Sequence, residues 1–351
     1  MKSNVGNRIK SARILAGKSL RELSAQLDGI VSHTAINKYE KGLLMPDGEV
    51  LIALSKALDV KTDYFLRPLI VKISQIEFRK KNNLPIKKIN SIKESIIDNV
   101  ERYIELEGFL NLETSFNNPI SELKISGTND VENAVEHLLE AWDIGINAIP
   151  NVIKLLEDKE IKVVEIEADD KFDGLSGRAN GNIPIIVINK KFPVERKRFT
   201  ATHELGHLLM NFNPNINHKE IEKLCHRFAG AMLLPKETLF NELGNKRTSI
   251  SLNELIFIKE SYGISIQAIM ARAKDLEIIS NDQYVRFRIK VNQNENLKKE
   301  IGFGEFKGNE HSTRFKQLLY SATAEEIISM SKAASLSNIK LAEFRDEFMA
   351  I

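Results

Sequence analysis

The chain has 351 residues, 42% apolar and 28% charged, with 50 Lys+Arg against 48 Asp+Glu. This composition excludes a disordered chain, and ~100–200 residues per domain gives two or three domains. No apolar run approaches the ~20 residues of a membrane span, Ile14-Leu15-Ala16 is too short for a signal-peptide core, and one cysteine, Cys225, excludes an internal disulfide; a cytoplasmic protein is expected.

Charge is unevenly placed. Residues 1–88 hold 17 Lys/Arg and 8 Asp/Glu, so the remainder is net acidic. A basic module on an acidic body points to a polyanion partner for the first segment. Residues 7–66 read as four or five short helices. Ser19 and Glu22 have capping-box spacing and open a second helix with Leu20, Leu23 and Leu27 inward. Asp28-Gly29 breaks it. Ser32 caps a third helix, His33 to Lys41, with Ala35, Ile36 and Tyr39 as its inner stripe and Gly42 as its stop. Leu51, Leu54 and Leu58 mark a fourth.

Two short helices joined by a turn form a helix-turn-helix. The module resembles the Cro/C1-type family, including the Ile36, Glu40, Gly42 and Pro46 pattern. The resemblance implies double-stranded DNA as partner, with His33, Thr34 and Lys38, and secondarily Asn37, toward base edges. Arg13 and Arg21 are candidate phosphate contacts. Such modules read paired half-sites, which makes a homodimer plausible.

A basic Phe78-Arg79-Lys80-Lys81 stretch precedes a long amphipathic helix, about Lys87 to Leu110, expected to tether and space the modules. Asn111 to Asn129, rich in Asn, Ser, Gly and Pro, reads as a linker.

The strongest chemical signal is His203-Glu204-Leu205-Gly206-His207. Positions i and i+4 share a helix face, so both imidazoles can reach one ion, with Glu204 beside a bound water; this is the HExxH arrangement of zinc peptidases. Zinc needs a third protein ligand and an open position. A second helix, from Glu222 to the residues before Pro235, offers Glu222 or His226, four apart on one face. Cys225 beside them reads as a small core residue. The preceding strand, Ile185 to Ile188, is apolar on both faces and fits either a substrate-pairing edge or a plain core strand.

From Val131 to about Ser280 the chain resembles the ImmA/IrrE metallo-endopeptidases. The likeness rests on Trp142-Asp143-Ile144-Gly145, Leu155-Leu156-Glu157, Phe172-Asp173-Gly174-Leu175-Ser176, Pro184 to Asn189, the HELGH segment and Phe228-Ala229 leading to Leu234-Pro235. It implies a zincin-like domain with Zn²⁺ on His203, His207 and Glu222 and with Glu204 as general base. His226 stands where Asn or Asp is usual, which keeps a three-histidine site open. The resemblance also implies a protein substrate, a transcriptional repressor, and a role in stress response. An alternative is a helix-turn-helix regulator whose peptidase-like body senses or dimerises without turnover. A variant has the chain cut its own linker near 111–129.

Beyond this region, Ser249 to Gly263 and Ser265 to Leu276 read as helices. Asp282 to Val291 alternates like a strand, and helical pieces follow from Ser312. Ser329 to Arg345 resembles a second helix-turn-helix faintly, but its acidic surroundings favour docking or dimerisation. The chain is thus expected to be mainly α with a small β-sheet (α+β). Its divisions are 1–68 for DNA binding, 69–128 as connector, 129–290 as metallopeptidase and 291–351 as a docking region.

Overall fold

The computed structural model describes residues 2–74, 85–113 and 115–348. The basic stretch Phe78 to Lys81 lies outside them. The fold is mainly α, 58% helix with 7% strand, and no helix of the described residues is long and apolar enough to cross a membrane.

Four helices and one 3₁₀ turn, Thr62–Leu66, form the first module: α1 Lys2–Leu15, α2 Leu20–Gln26, α3 His33–Glu40 and α4 Gly48–Leu58. The Ser19–Glu22 capping box is formed, and Ser32 and Asp47 cap α3 and α4. Each cap satisfies helix-end N–H groups that have no partner within the helix. Val5, Ile9, Leu23, Ile36, Leu54 and Phe65 close a core of their own.

The long helix α5, Ile86–Phe109, is a shared spine rather than a spacer. Ile96 and Val100 pack on one face of the sheet against Val164, Leu175, Ile185 and Val187. Leu106 joins the core of the C-terminal helices α15 Arg314–Ala324, α16 Met330–Leu336 and α17 Leu341–Glu347. Glu101 of α5 pairs with buried Arg8 of α1 at 2.6 Å, and Arg8 Nε donates to the Arg67 carbonyl. Ser335 of α16 donates to Asp63 of the 3₁₀ turn. The first module is therefore pinned to the body by buried charge as well as by chain connection.

The main sheet has the order β1-β4-β5-β3, from β1 Ile73–Ser74, β3 Lys162–Ile166, β4 Gly174–Ala179 and β5 Ile183–Asn189. β5 runs parallel to β3 and antiparallel to β4, so Ile185 to Ile188 is interior and not an edge. Its two apolar faces have a simple cause. Ile185 and Val187 face the α5 layer, while Ile186 and Ile188 face the core around α8, Val194–Leu209. That core also holds α6 Thr128–Ala141, α7 Val152–Asp158, α9 His218–Leu233, α10 Lys236–Leu243, α11 Leu252–Tyr262 and α12 Ile266–Asp275.

Two sequence expectations change. Residues 111–129, Thr114 apart, are mostly exposed, but the stretch docks on the body around Asn118 to Ile125. Ile120 and Ile125 are buried, Asn118 donates to the Leu209 carbonyl, and β2 Lys124–Ile125 pairs in parallel with β6 Asn211–Phe212. A self-cleavage site between Ile120 and Ile125 would have to leave these contacts before its backbone could bind in extended form. Asp282 to Val291 is helix, within α13 Asn281–Gln293, opened by a Ser280–Gln283 capping box. The alternation is incidental. Tyr284, Phe287 and Val291, at spacings of three and four, turn inward, while Val285 and Ile289 are exposed. The boundary at 290 falls inside this helix, which is followed by α14 Glu295–Lys299.

The extended residues 305–313 strap the body. Buried Glu310 accepts from Val152 N and Ile153 N at the start of α7 and pairs with fully buried Arg198 of α8. Arg198 also donates to the carbonyls of Gly263 and Ile149. These contacts fix the first half of α8 at Arg198.

Candidate metal centre and DNA-facing helix

His203, Glu204 and His207 lie on α8, and His203 and Glu204 are almost wholly buried, at 1% exposure each. The Nε2 atoms of His203 and His207 face each other at 3.1 Å. Glu222, near the start of α9, places one carboxylate oxygen 3.2 Å from His207 Nε2 and the other 3.7 Å from His203 Nε2. Tetrahedral zinc with N and O donors at ~2.0–2.2 Å sets them roughly 3.3 Å apart. Two imidazoles and a carboxylate at these separations fit one divalent ion.

Close helix contact makes this possible. A side chain at Gly206 would come within 3.1–3.3 Å of Met210 and Phe228, so the glycine lets α9 approach the His203–His207 stretch of α8. The rotation of α9 is held by Glu132 of α6. Its carboxylate accepts from Arg227 Nε at 2.7 Å and from Arg272 Nη2 of α12 at 2.6 Å. Burial opposes its charge, but Arg272 and Arg227 outweigh burial and keep the Glu132 carboxyl below its ordinary range.

His226 is exposed and takes another position. Its ring stacks on Phe199 with centroids 5.9 Å apart and lies 4.5 Å from the His203 ring. The Glu222 carboxylate lies against both histidine nitrogens. Cys225 belongs to the core as expected, yet its sulfur also clusters with His203 and His207, the donor atoms all within 4.8 Å of one another. Its spacing of three from Glu222 was the signal that could have placed it there.

Ser176, named in the sequence only as the end of a family-like stretch, gains a part that the sequence reading did not assign. Its hydroxyl donates to Glu204 Oε2 at 2.9 Å, and both residues are buried. It comes from β4, brought onto α8 because Gly174 has no side chain: a Cβ there would meet Thr200 at 2.6 Å and the Val187 carbonyl at 2.7 Å. Among the described residues β1 covers the outer side of β4 only at Arg178 and Ala179. The strand edge nearest Glu204 is therefore Gly174 to Gly177, one strand away from the segment singled out in the sequence.

In the first module His33, Thr34 and Lys38 are exposed on α3 and Asn37 is half-buried; Arg21 is exposed on α2. Arg13 is engaged inside the protein instead. Its guanidinium bonds both oxygens of Glu40, at 2.6 and 2.8 Å, and the Lys18 carbonyl. An arginine already paired in this bidentate way ties α1 to α3 and has little left to offer a phosphate.

Comparison with known families agrees with this division. Residues 9–65 match the family model of a helix-turn-helix, and residues 156–274 match that of the IrrE N-terminal-like domain, a metallopeptidase-like family. The second match spans both α8 and α9. Among curated proteins none matches the chain significantly.

Proposed function

We propose that this chain, which joins a helix-turn-helix DNA-binding domain to an IrrE-like metallopeptidase domain, is a metal-dependent endopeptidase that cuts a regulatory protein, a transcriptional repressor in the simplest case. The observation that carries this reading is the set of His203, His207 and Glu222 around one point with Glu204 beside it. These three side chains would hold the ion, zinc by preference. Once bound, it would act as a Lewis acid and make water acidic enough to attack an amide near neutral pH.

The remaining work belongs to the chain. Glu204 accepts the attacking water's proton and returns it to the leaving amine. The Ser176 hydroxyl sets the rotation of that carboxylate. The Gly174–Gly177 edge offers backbone groups to an extended substrate, a common mode of peptide recognition. His33, Thr34, Asn37 and Lys38 face DNA, and the buried Arg8–Glu101 pair keeps the two functions in one body. The setting is cytoplasmic, beside the DNA it regulates.

The test compares new protein N-termini in cells expressing wild type or Glu204→Ala, with and without DNA damage. Fragments confined to wild type would identify the substrate. Identical profiles under every stress tried would reject turnover and leave a DNA-binding regulator with a metal-holding sensor body.

A further inference from the structure

α8 and α9 bring more than donor atoms to the centre. Phe199, His203 and His207 recur every four residues along α8, so one helix face carries all three. On α9, His226 follows Glu222 by about one turn, ~6 Å along the axis. Glu222 lies against His207 and His203, while His226 lies against His203 and Phe199. The two helices therefore run in opposite directions here, and the Phe199–His226 pair stands at one end of the donor cluster. Its ring planes are 27° apart with centroids at 5.9 Å, and the His226 ring is 4.5 Å from that of His203. Exposure decides what the pair can do. His226 is exposed and Phe199 half-buried, although the His203 beside them is 1% exposed. An aromatic surface thus opens to solvent directly beside a buried metal-donor histidine.

Building on the endopeptidase reading above, we propose that Phe199 and His226 form a substrate subsite of that centre and select an aromatic residue within two positions of the bond that is cut. An extended peptide advances ~3.3 Å per residue. A side chain one or two positions from a carbonyl held at the centre therefore reaches rings about one helical turn away. A substrate Phe, Tyr or Trp can pack on these rings offset or edge-on, a geometry that adds attraction beyond the apolar area it buries. An aliphatic side chain gains the area alone. The subsite leaves the donor set of His203, His207 and Glu222 as it is, because His226 supplies a ring surface and no ligand atom. A rival role for His226 is to shield the His203 ring from solvent. That role asks only for bulk and would affect every substrate alike, whereas a subsite discriminates between substrates.

The experiment incubates full-length, zinc-loaded wild type, Glu204→Ala, His226→Ala and Phe199→Leu with a proteome-derived peptide library and sequences the new termini. Cuts made by wild type and missing with Glu204→Ala define the sites. Aromatic residues should be enriched roughly threefold to tenfold within two positions of the cut, the scale of one aromatic pair. His226→Ala should retain its zinc and lose kcat/KM at aromatic sites by a similar factor relative to the other sites. Phe199→Leu, which keeps apolar bulk, should narrow the preference in the same direction. Wild-type cuts without aromatic enrichment, or with arginine or aliphatic residues enriched instead, would overturn the subsite and leave the peptidase standing. So would a preference that survives His226→Ala, or a His226→Ala protein slowed by one factor at every site, the mark of a shield over His203. A library with no Glu204-dependent cut would overturn the endopeptidase reading itself and the subsite with it.

Discussion

The hydroxyl of Ser176 donates to Oε2 of Glu204 across 2.9 Å, joining strand β4 to α8. The bond is buried, and the carboxylate it orients is the group expected to move the proton. Ser176→Ala should lower kcat by about 10–100-fold with KM and metal content little changed, the usual scale for a supporting partner. Ser176→Thr should recover most of the rate. If KM rose and kcat held, Ser176 would be a substrate contact and not a positioning residue.

Glu222 and His226 occupy one face of α9 but play different parts. Glu222→Ala should weaken zinc binding by at least about tenfold, because it removes a charged group set against both histidines. His226→Ala should stay within about twofold, since its ring stacks on Phe199 and sits tilted beside the His203 ring. Equilibrium dialysis with zinc separates them, and the reverse order would reassign the third ligand.

On the DNA side the contrast is between Lys38 and Arg13. Lys38 is exposed on α3, whereas Arg13 is bonded to Glu40. Lys38→Ala should weaken duplex binding and, where it meets a phosphate, reduce the salt slope by about 1. Arg13→Ala should lower the melting temperature of the module and leave the slope unchanged. A shallower slope for Arg13→Ala would return it to the phosphate contacts.

Legibility in the sequence followed the range of the interactions. Caps at Ser19 and Ser32 and the i,i+4 histidines are local, and each is formed as its spacing predicts, whereas the helix expected from Ser249 begins at Leu252 with Ser251 as its cap. The Glu222 carboxylate also lies where its helix face suggested. What escaped was set by contacts between distant segments. Ser176 reaches Glu204 only because glycine at 174 lets a strand approach α8. The apolar faces of β5 told that two layers cover it, yet not that β4 would be the edge beside the site. Residues 111–129 have a linker's composition and are mostly exposed, yet Ile120 and Ile125 anchor their middle. In α13 a two-residue and a three-to-four-residue period coexist, and the capping box at Ser280 favours the helix.

Arg8 and Glu101 offer a test of the coupling between modules. Both are buried, and Glu101→Ala leaves a guanidinium without its carboxylate, a loss of about 3–5 kcal/mol. Unfolding of wild type should report the first module and α5 together. In Glu101→Ala the first module should melt earlier, and limited proteolysis should release it. A single unshifted transition would show that packing alone holds the modules.

Glu132 gives the pH dependence. Its folded-state pKa is lowered by Arg272 and Arg227 against the opposing effect of burial. A lowered carboxylate contributes stability that is present above its unfolded value of ~4.3 and is lost as pH falls through the folded value. Glu132→Gln should therefore be less stable than wild type by about 3–5 kcal/mol at pH 7, because two arginines lose their buried partner. The gap should close progressively below about pH 4 as the wild-type carboxyl takes up its proton. Thermal unfolding of both proteins between about pH 3 and 7 measures this. A gap that stayed constant across that range would mean Glu132 acts through shape and hydrogen bonding, with its charge contributing nothing to the hold on α9.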